Sequence, residues 1–208
     1  NNGYLEYDYF CATALTYFFI DLLSQKIKNN IDVSKYLIYV LLATVCDVMP
    51  LRKLNRLISQ IVLKKFDINK HLIFKVLFNL NKKKNKLTIN DLGYLIGPIL
   101  NAGGRLGKSS YATELLSSKS LSLIKQRSLE LVSLNNKRKK IETIILNEIN
   151  FDELEKKNQN LIIYYNPNLN EGLIGIIAAR LKDYFFKPAI VITNSGKTSS
   201  ISCAIAPT

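Results

Sequence analysis

The period of the apolar pattern changes near residue 160, and no other feature of this 208-residue chain constrains its fold as much. Before that point apolar residues recur at three- and four-residue spacing, the signature of helices that bury one face. After it, LIIYY (161–165) and PAIVIT (188–193) are short runs of β-favouring residues, separated by GLIGIIAARLKDYF (172–185), which has helical spacing. A strand, a helix and a second strand joined by so long a connection predict a parallel pair. The final stretch, GKTSSISCAIAPT, reads as a further strand. The fold class is therefore α/β: a mainly helical first 150 residues, then an α/β unit with a partly parallel sheet.

Within the helical part, residues 9–27 predict a helix packed through its Ala and Thr face and ending in a basic turn. SKYLIYVLLATVCD (34–47) opens on a candidate N-cap, Ser34; its apolar run suits a buried helix or a buried strand, and periodicity does not choose. Pro50 predicts a break after Asp47. LRKLNRLISQIVLKKF (51–66) repeats Leu51, Leu54, Leu57, Ile58, Ile61 and Val62 with basic residues opposite, an amphipathic helix. HLIFKVLFNL (71–80) is the next helix, and NKKKNK after it is a solvated basic loop. In TINDLGYLIGPILNAGGR, Thr88 or Asn90 caps a short helix expected to fade at Gly93 or Gly97. From Ser109 to Asn150 the pattern is helical, with a stripe of Leu123, Leu129, Leu134, Ile141, Ile145 and Ile149 and an interruption near Asn135 and Asn136. INFDELEKKNQN reads as a polar exit loop.

Composition excludes several classes. No apolar run reaches the roughly 18 uncharged residues of a membrane span, because Asp21 and Asp47 interrupt the two best candidates. Cys11, Cys46 and Cys203 are far apart and form no CxxC, which argues against a disulfide framework or zinc site and suits a reducing cytoplasm. NNGYLEYDYF shows neither an initiator Met nor the order of a signal peptide, so the amino terminus reads as a cut. The formal net charge is +13, which invites a polyanionic partner, although lysine-rich coding by an AT-biased genome produces the same excess. Only six of the 29 basic residues are Arg, and only Arg offers a planar bidentate fork to phosphate.

Three segments carry candidate chemistry. Asp47 ends an apolar run in ATVCDVMPL, where a carboxylate is either an N-cap for the next segment or a metal ligand at the rim of a core. GPILNAGGRLG (97–107) is a glycine-rich stretch, neither GxGxxG nor GxxxxGK(S/T). Its Gly103 and Gly104 permit close approach of a ligand, Asn101 holds the loop, and Arg105 meets an anion; a helix C-cap with a surface arginine is the bland alternative. NEGLIGIIAARL puts Gly172 and Gly175 at a helix N-terminus, where free amides favour an anion or where a helix comes close to a sheet, with Arg180 one face further on. His71, on an apolar face, is assigned no chemistry.

In order and spacing, ATVCDVMPLRKLNR, LIGPILNAGGRLG and NEGLIGIIAARLKDYFFKPAIVI resemble segments of the DHH phosphoesterase family, specifically its single-stranded-DNA exonuclease branch. The NAxGR element distinguishes that branch from the smaller DHH phosphodiesterases. The resemblance implies a 5′ to 3′ exonuclease of DNA repair and recombination that hydrolyses phosphodiesters with Mn²⁺ or Mg²⁺. It implies that residues 1–66 are the end of the DHH domain with a connecting helix, and 67–208 the DHH-associated domain. Asp47 becomes a catalytic metal ligand; Asn101, Gly103, Gly104, Arg105, Asn170, Gly172, Gly175 and Arg180 become DNA or phosphate contacts. The implied partner is single-stranded DNA, without a membrane, for a monomeric, cytoplasmic protein; helicase or single-strand-binding partners are not specified.

This sequence departs from the family pattern in three places. The DHH motif and its upstream aspartates do not occur, so the chain supplies one of several metal ligands and is expected to be inert alone. The family's His before the glycine pair is Asn170, which keeps a polar contact and cannot transfer a proton. The family's GSxRS run reads SISCAIAP, without Arg. Two alternatives remain open: a DHH phosphodiesterase acting on short oligonucleotides or cyclic dinucleotides, and a non-catalytic DNA-binding scaffold.

Overall fold

The computed structural model describes residues 8–27, 32–84, 86–157, 160–195 and 200–206; of these, the side chains at 157, 195, 200–204 and 206 lie outside the description. The elements are α1 (Ala12–Lys26), α2 (Leu37–Cys46), α3 (Lys53–Lys65), α4 (Leu72–Leu80), α5 (Gly97–Arg105), α6 (Ser110–Ser117), α7 (Leu121–Glu148), α8 (Phe151–Lys157), β1 (Ile162–Tyr165), α9 (Glu171–Phe185), β2 (Ala189–Ser195) and β3 (Ser200–Ala206). They form two compact units that divide between Pro98 and Ile99. The boundary expected at 66/67 falls inside the first unit, where Phe66 stacks on His71 and meets Phe74 edge-on.

The first unit is built around α2. Its run is apolar on every side, and Ile38, Val40, Leu41, Leu42 and Thr44 are all buried, which decides the open choice in favour of a buried helix. Ser34 is not its cap: Ser34 begins a 3₁₀ turn and gives both its N–H and its hydroxyl to the Asp32 carboxylate. α1 buries Ala14 and leaves Leu15 and Phe19 exposed. His71 is held between Phe66 and Phe74, and burial pushes its pKa below the usual imidazole value.

The helix after Thr88 does not fade at Gly93 or Gly97. Thr88 and Asp91 form a reciprocal cap: the Asp91 carboxylate accepts from the Thr88 N–H and hydroxyl, and the Thr88 oxygen accepts from the Asp91 N–H. The chain then runs through a π-helix, Asp91–Ile96, straight into α5. The wide π turn carries the helix past Pro98, which has no N–H to give. Its two glycines serve close packing, since a Cβ at Gly93 would lie 3.3 Å from Val45 and one at Gly97 would lie 2.6 Å from the Cys46 sulfur. GPILNAGGR is therefore helix, and the expected glycine-rich loop is confined to its exit at Gly107, where φ is +77°.

In the second unit α7 runs 28 residues without the interruption expected at Asn135 and Asn136. Its buried face is Ile124, Ser128, Leu131, Asn135, Glu142 and Ile145, displaced from the expected stripe; Leu129 is 55% exposed. Three of those six are polar, which is why hydropathy points to a different face. The expected exit loop contains α8, whose first turn is capped by Asn150 accepting from the Glu153 N–H.

β1 pairs parallel to β2 as the sequence predicts, in the register Ile162 to Ala189 through Tyr165 to Ile192. β3 adds antiparallel to β2, giving the order β1-β2-β3. α9 covers the sheet with Leu173, Ile174, Ile177, Ala178, Leu181 and Phe185, which join Ile145, Ile149, Ile162, Ala189 and Val191 in one core. The SISCAIAP run supplies β3, but its comparison with GSxRS lies outside the described side chains.

Two adjacent glycines of α5 make opposite predictions. A Cβ at Gly103 would lie 2.6 Å from the Lys108 carbonyl oxygen and 3.1 Å from Leu131, whereas one at Gly104 meets nothing within 4 Å. Gly103→Ala is expected to destabilise the second unit by about 1–3 kcal/mol, and Gly104→Ala to stabilise it by about 0.5–1 kcal/mol, by denaturant titration.

Candidate phosphate-binding and metal-binding residues

Asp47 closes α2 as its C-cap, and Arg52 rather than Asp47 stands at the N-cap of α3, so the N-cap reading is corrected. A carboxylate at this end faces the negative pole of the helix, costing about 0.3–1 kcal/mol where a cation would be favourable. The turn beneath it is a Schellman motif: the Val48 N–H donates to the Val45 carbonyl and the Met49 N–H to the Thr44 carbonyl. Its left-handed position, usually Gly, holds Val48 at φ +54° with the side chain 87% exposed. A β-branched residue there is strained by about 1–3 kcal/mol. The Asp47 side chain is exposed and has no hydrogen-bond or ion-pair partner among the described residues. An unfavourably placed, unpaired carboxylate on a strained turn fits a metal ligand better than a structural acid. It fits as one ligand only, because no group of three His, Cys, Asp or Glu side chains gathers among the described residues. Burial, and secondarily the Asp47 charge, push the Cys46 thiol up, away from a thiolate ligand.

The second unit brings Arg105, Asn170 and Gly172 together. Arg105 ends α5, and its NH1 donates to the Gly172 carbonyl at 2.9 Å. The two main chains touch: a Cβ at Gly172 would overlap the Arg105 carbonyl oxygen and crowd its Cα. Gly172 is thus a glycine so that α9 can start against the end of α5, not against the sheet. Asn170 is the N-cap of α9 and accepts from the Gly172 N–H at 2.8 Å, and Glu171 fills the acidic first-turn position. The α9 amide expected to meet an anion is therefore already taken by the chain itself.

The groups with donors to offer an anion are the arginines instead, and they differ in how far they are already paired. Arg127 is paired with two carboxylates, Glu114 and Glu130, both at 2.6 Å, and stacks 4.2 Å over Tyr111; Arg52 pairs with Asp8. Arg56 is exposed. Arg105 is half-buried, yet its one partner among the described residues is a neutral carbonyl, which uses one of its five N–H groups. Burial and then the Arg138 charge lower its pKa, with Glu142 opposing. Arg138, Glu142 and Arg180 are the cluster that the displaced stripe of α7 conceals. The buried Glu142 carboxylate accepts from Arg138 NH1 at 3.0 Å and from Arg180 Nε at 2.8 Å, and Arg138 Nε donates to Asn135 at 3.2 Å. Arg180, expected as a DNA contact, is 57% exposed and so retains an outward face. Asn101, Gly104 and Gly175 are exposed, and the Asn101 side chain does not hold a loop.

No protein-family profile matches the chain. Among curated proteins, it is 32% identical over 166 residues to the single-stranded-DNA-specific exonuclease RecJ of Haemophilus influenzae, covering 76% of this chain and 29% of that protein. The RecJ of Escherichia coli is 32% identical over 172 residues, 79% of this chain and 30% of the relative. The chain belongs to the RecJ family. It spans about 30% of the length of these two RecJ proteins. Its fold agrees with solved RecJ structures: one from Thermus thermophilus in complex with Mn²⁺ has a TM-score of 0.72 at 21% identity, over 82% of this chain and 26% of that one. A second RecJ, bound to manganese, gives 0.74 at 20% identity over 85% and 45% of the two chains.

The strained turn yields a stability test. Val48→Gly relieves the left-handed strain without removing a buried contact, so it is expected to raise unfolding stability by about 1 kcal/mol in denaturant titration.

Proposed function

We propose that this chain is part of a metal-dependent, single-stranded-DNA-specific exonuclease of the RecJ kind, acting within a longer protein in DNA repair and recombination. The observation that carries this reading is Arg105: a half-buried guanidinium with no carboxylate partner among the described residues, in a RecJ-like NAGGR segment. Burying an uncompensated cation is unfavourable, and a phosphate removes that cost while accepting bidentate hydrogen bonds from the fork. Single-stranded DNA supplies phosphates at regular spacing, and the +13 charge of the chain favours its approach.

Divalent metals, Mn²⁺ or Mg²⁺, when bound would activate a water and neutralise charge developing at the phosphodiester. Asp47 contributes one carboxylate to hold them, beside ligands from elsewhere in the protein. Arg105 orients the strand through a phosphate, while Asn170, Gly172 and Gly103 keep the Arg105 end of α5 in place. Gly104, Gly175 and Asn101 present exposed surface along the same strand path, and Arg180 offers a further cation. Cys11 and Cys46 are free thiols, in keeping with a cytoplasmic setting. Among the described residues no helix is long and apolar enough to cross a membrane.

Asp47→Asn in the longer protein is expected to abolish Mn²⁺-dependent digestion of single strands while unfolding stability holds or rises; wild-type digestion by the variant ends the ligand assignment. Arg105→Ala is expected to weaken single-strand binding and to lower the slope of log affinity against log salt by about one phosphate, roughly 0.7. An unchanged slope counts against Arg105 as a phosphate contact.

A further inference from the structure

Glu142 is a buried carboxylate that two guanidinium groups, those of Arg138 and Arg180, contact and that no segment of the proposed function employs. It lies on α7, 7% exposed, in a face that is half apolar and half polar. Burying a carboxylate costs several kcal/mol unless it is fully paired. Here the pairing is ordered like a chain: Asn135 accepts from Arg138 Nε, Arg138 NH1 donates to one Glu142 oxygen, and the other Glu142 oxygen accepts from Arg180 Nε. Arg138, at 12% side-chain exposure, is an inner brace; Arg180, at 57%, is the end that reaches solvent.

The way Glu142 holds Arg180 matters. Its contact is to Nε, which leaves the terminal NH1 and NH2 pair of Arg180 without a partner among the described residues. That pair is one of the two donor edges of a guanidinium that match a phosphate bidentately. Arg105 is in the same electrostatic field, since its pKa responds to both Arg138 and Glu142, and it too has unused donors. Arg105 docks on Gly172, and Arg180 is eight residues further along α9, roughly 12 Å of helix axis. Two guanidinium groups held at separate points along one helix suit two phosphates of one extended strand.

We infer that Glu142 is a positioning residue, braced by Arg138 and Asn135, which aims Arg180 so that Arg180 and Arg105 clamp two phosphates of the same single strand. This rests on the single-strand-binding reading and adds the device that sets the second contact. The entropy of ordering a long arginine side chain is met on folding, so binding does not incur it. A carboxylate acting merely as a nearby negative charge would repel the strand, so the two roles predict opposite signs.

The test is equilibrium binding of a fluorescent dT oligonucleotide to the protein and its variants, with unfolding stability measured alongside. Glu142→Ala is expected to weaken binding by roughly 3- to 10-fold, although it removes a negative charge. In an Arg180→Ala background the same change is expected to have no further effect on binding. Arg180→Lys keeps the charge, loses the Nε donor and leaves the core of α7 intact; it is expected to bind several-fold more weakly than wild type. Unchanged or tighter binding by Glu142→Ala overturns the inference, as does wild-type affinity in Arg180→Lys. If Glu142→Ala does not fold, Arg180→Lys decides alone. Failure of the wild-type protein to bind single strands at any salt concentration sinks the underlying reading instead, so the two failures are distinct.

Discussion

Gly172 has no side chain because the main chain of Arg105 occupies the space one would need. That contact fixes the end of α5 against the start of α9 and brings the Arg105 guanidinium onto the Gly172 carbonyl. Much of the second unit's candidate chemistry follows from it. Asn170 takes the Gly172 amide, which leaves that donor closed to an outside ligand, and Gly103 must be bare so that the chain can turn back at Lys108 after the helix. The glycines are thus the means by which an arginine is carried at the junction of two helices, with the sheet core of Leu173, Ile177 and Val191 behind one of them.

In the first unit the corresponding constraint is the end of α2. A buried helix delivers Asp47 to its C-terminal pole, and the turn that follows accepts a strained valine to do so. Neither the charge nor the strain contributes to holding the unit together. Features that cost stability are where function is most directly sought, and the proposed role of Asp47 as a metal ligand accounts for that placement.

Periodicity makes the strand–helix–strand unit legible, because α9 and the two parallel strands bury apolar residues and little else. α4 is legible for the same reason, burying Ile73, Phe74, Leu77 and Phe78, whereas α3 buries Asn55 and Ser59 beside Ile58 and Val62 and leaves the expected stripe residues Leu51, Leu54 and Leu57 exposed. The glycine-rich stretch reads as a loop in sequence but folds as helix: glycine weakens a helix in isolation, whereas Gly93 and Gly97 are stabilised by packing on Val45 and Cys46, a tertiary contact that local propensity does not contain. The buried face of α7 is hidden because Ser128, Asn135 and Glu142 are inside it. Hidden with it is the Arg138–Glu142–Arg180 network, whose only sequence trace is an arginine four residues before a glutamate, a spacing equally common on solvated helices. Arg105 stands out through its segment, but that it has no carboxylate partner among the described residues is visible only in three dimensions.

The central claim is that Arg105 and Arg180 face a phosphate-bearing strand while the other paired arginines do not. It is tested most directly by the ¹⁵N–¹H signals of the arginine Nε groups in the protein titrated with a short single-stranded dT oligonucleotide. The expected result is that the Arg105 and Arg180 signals shift and exchange more slowly with solvent, while Arg127, already paired with Glu114 and Glu130, stays unmoved. Equal shifts at all arginines, or a shift at Arg127 with none at Arg105, would contradict it.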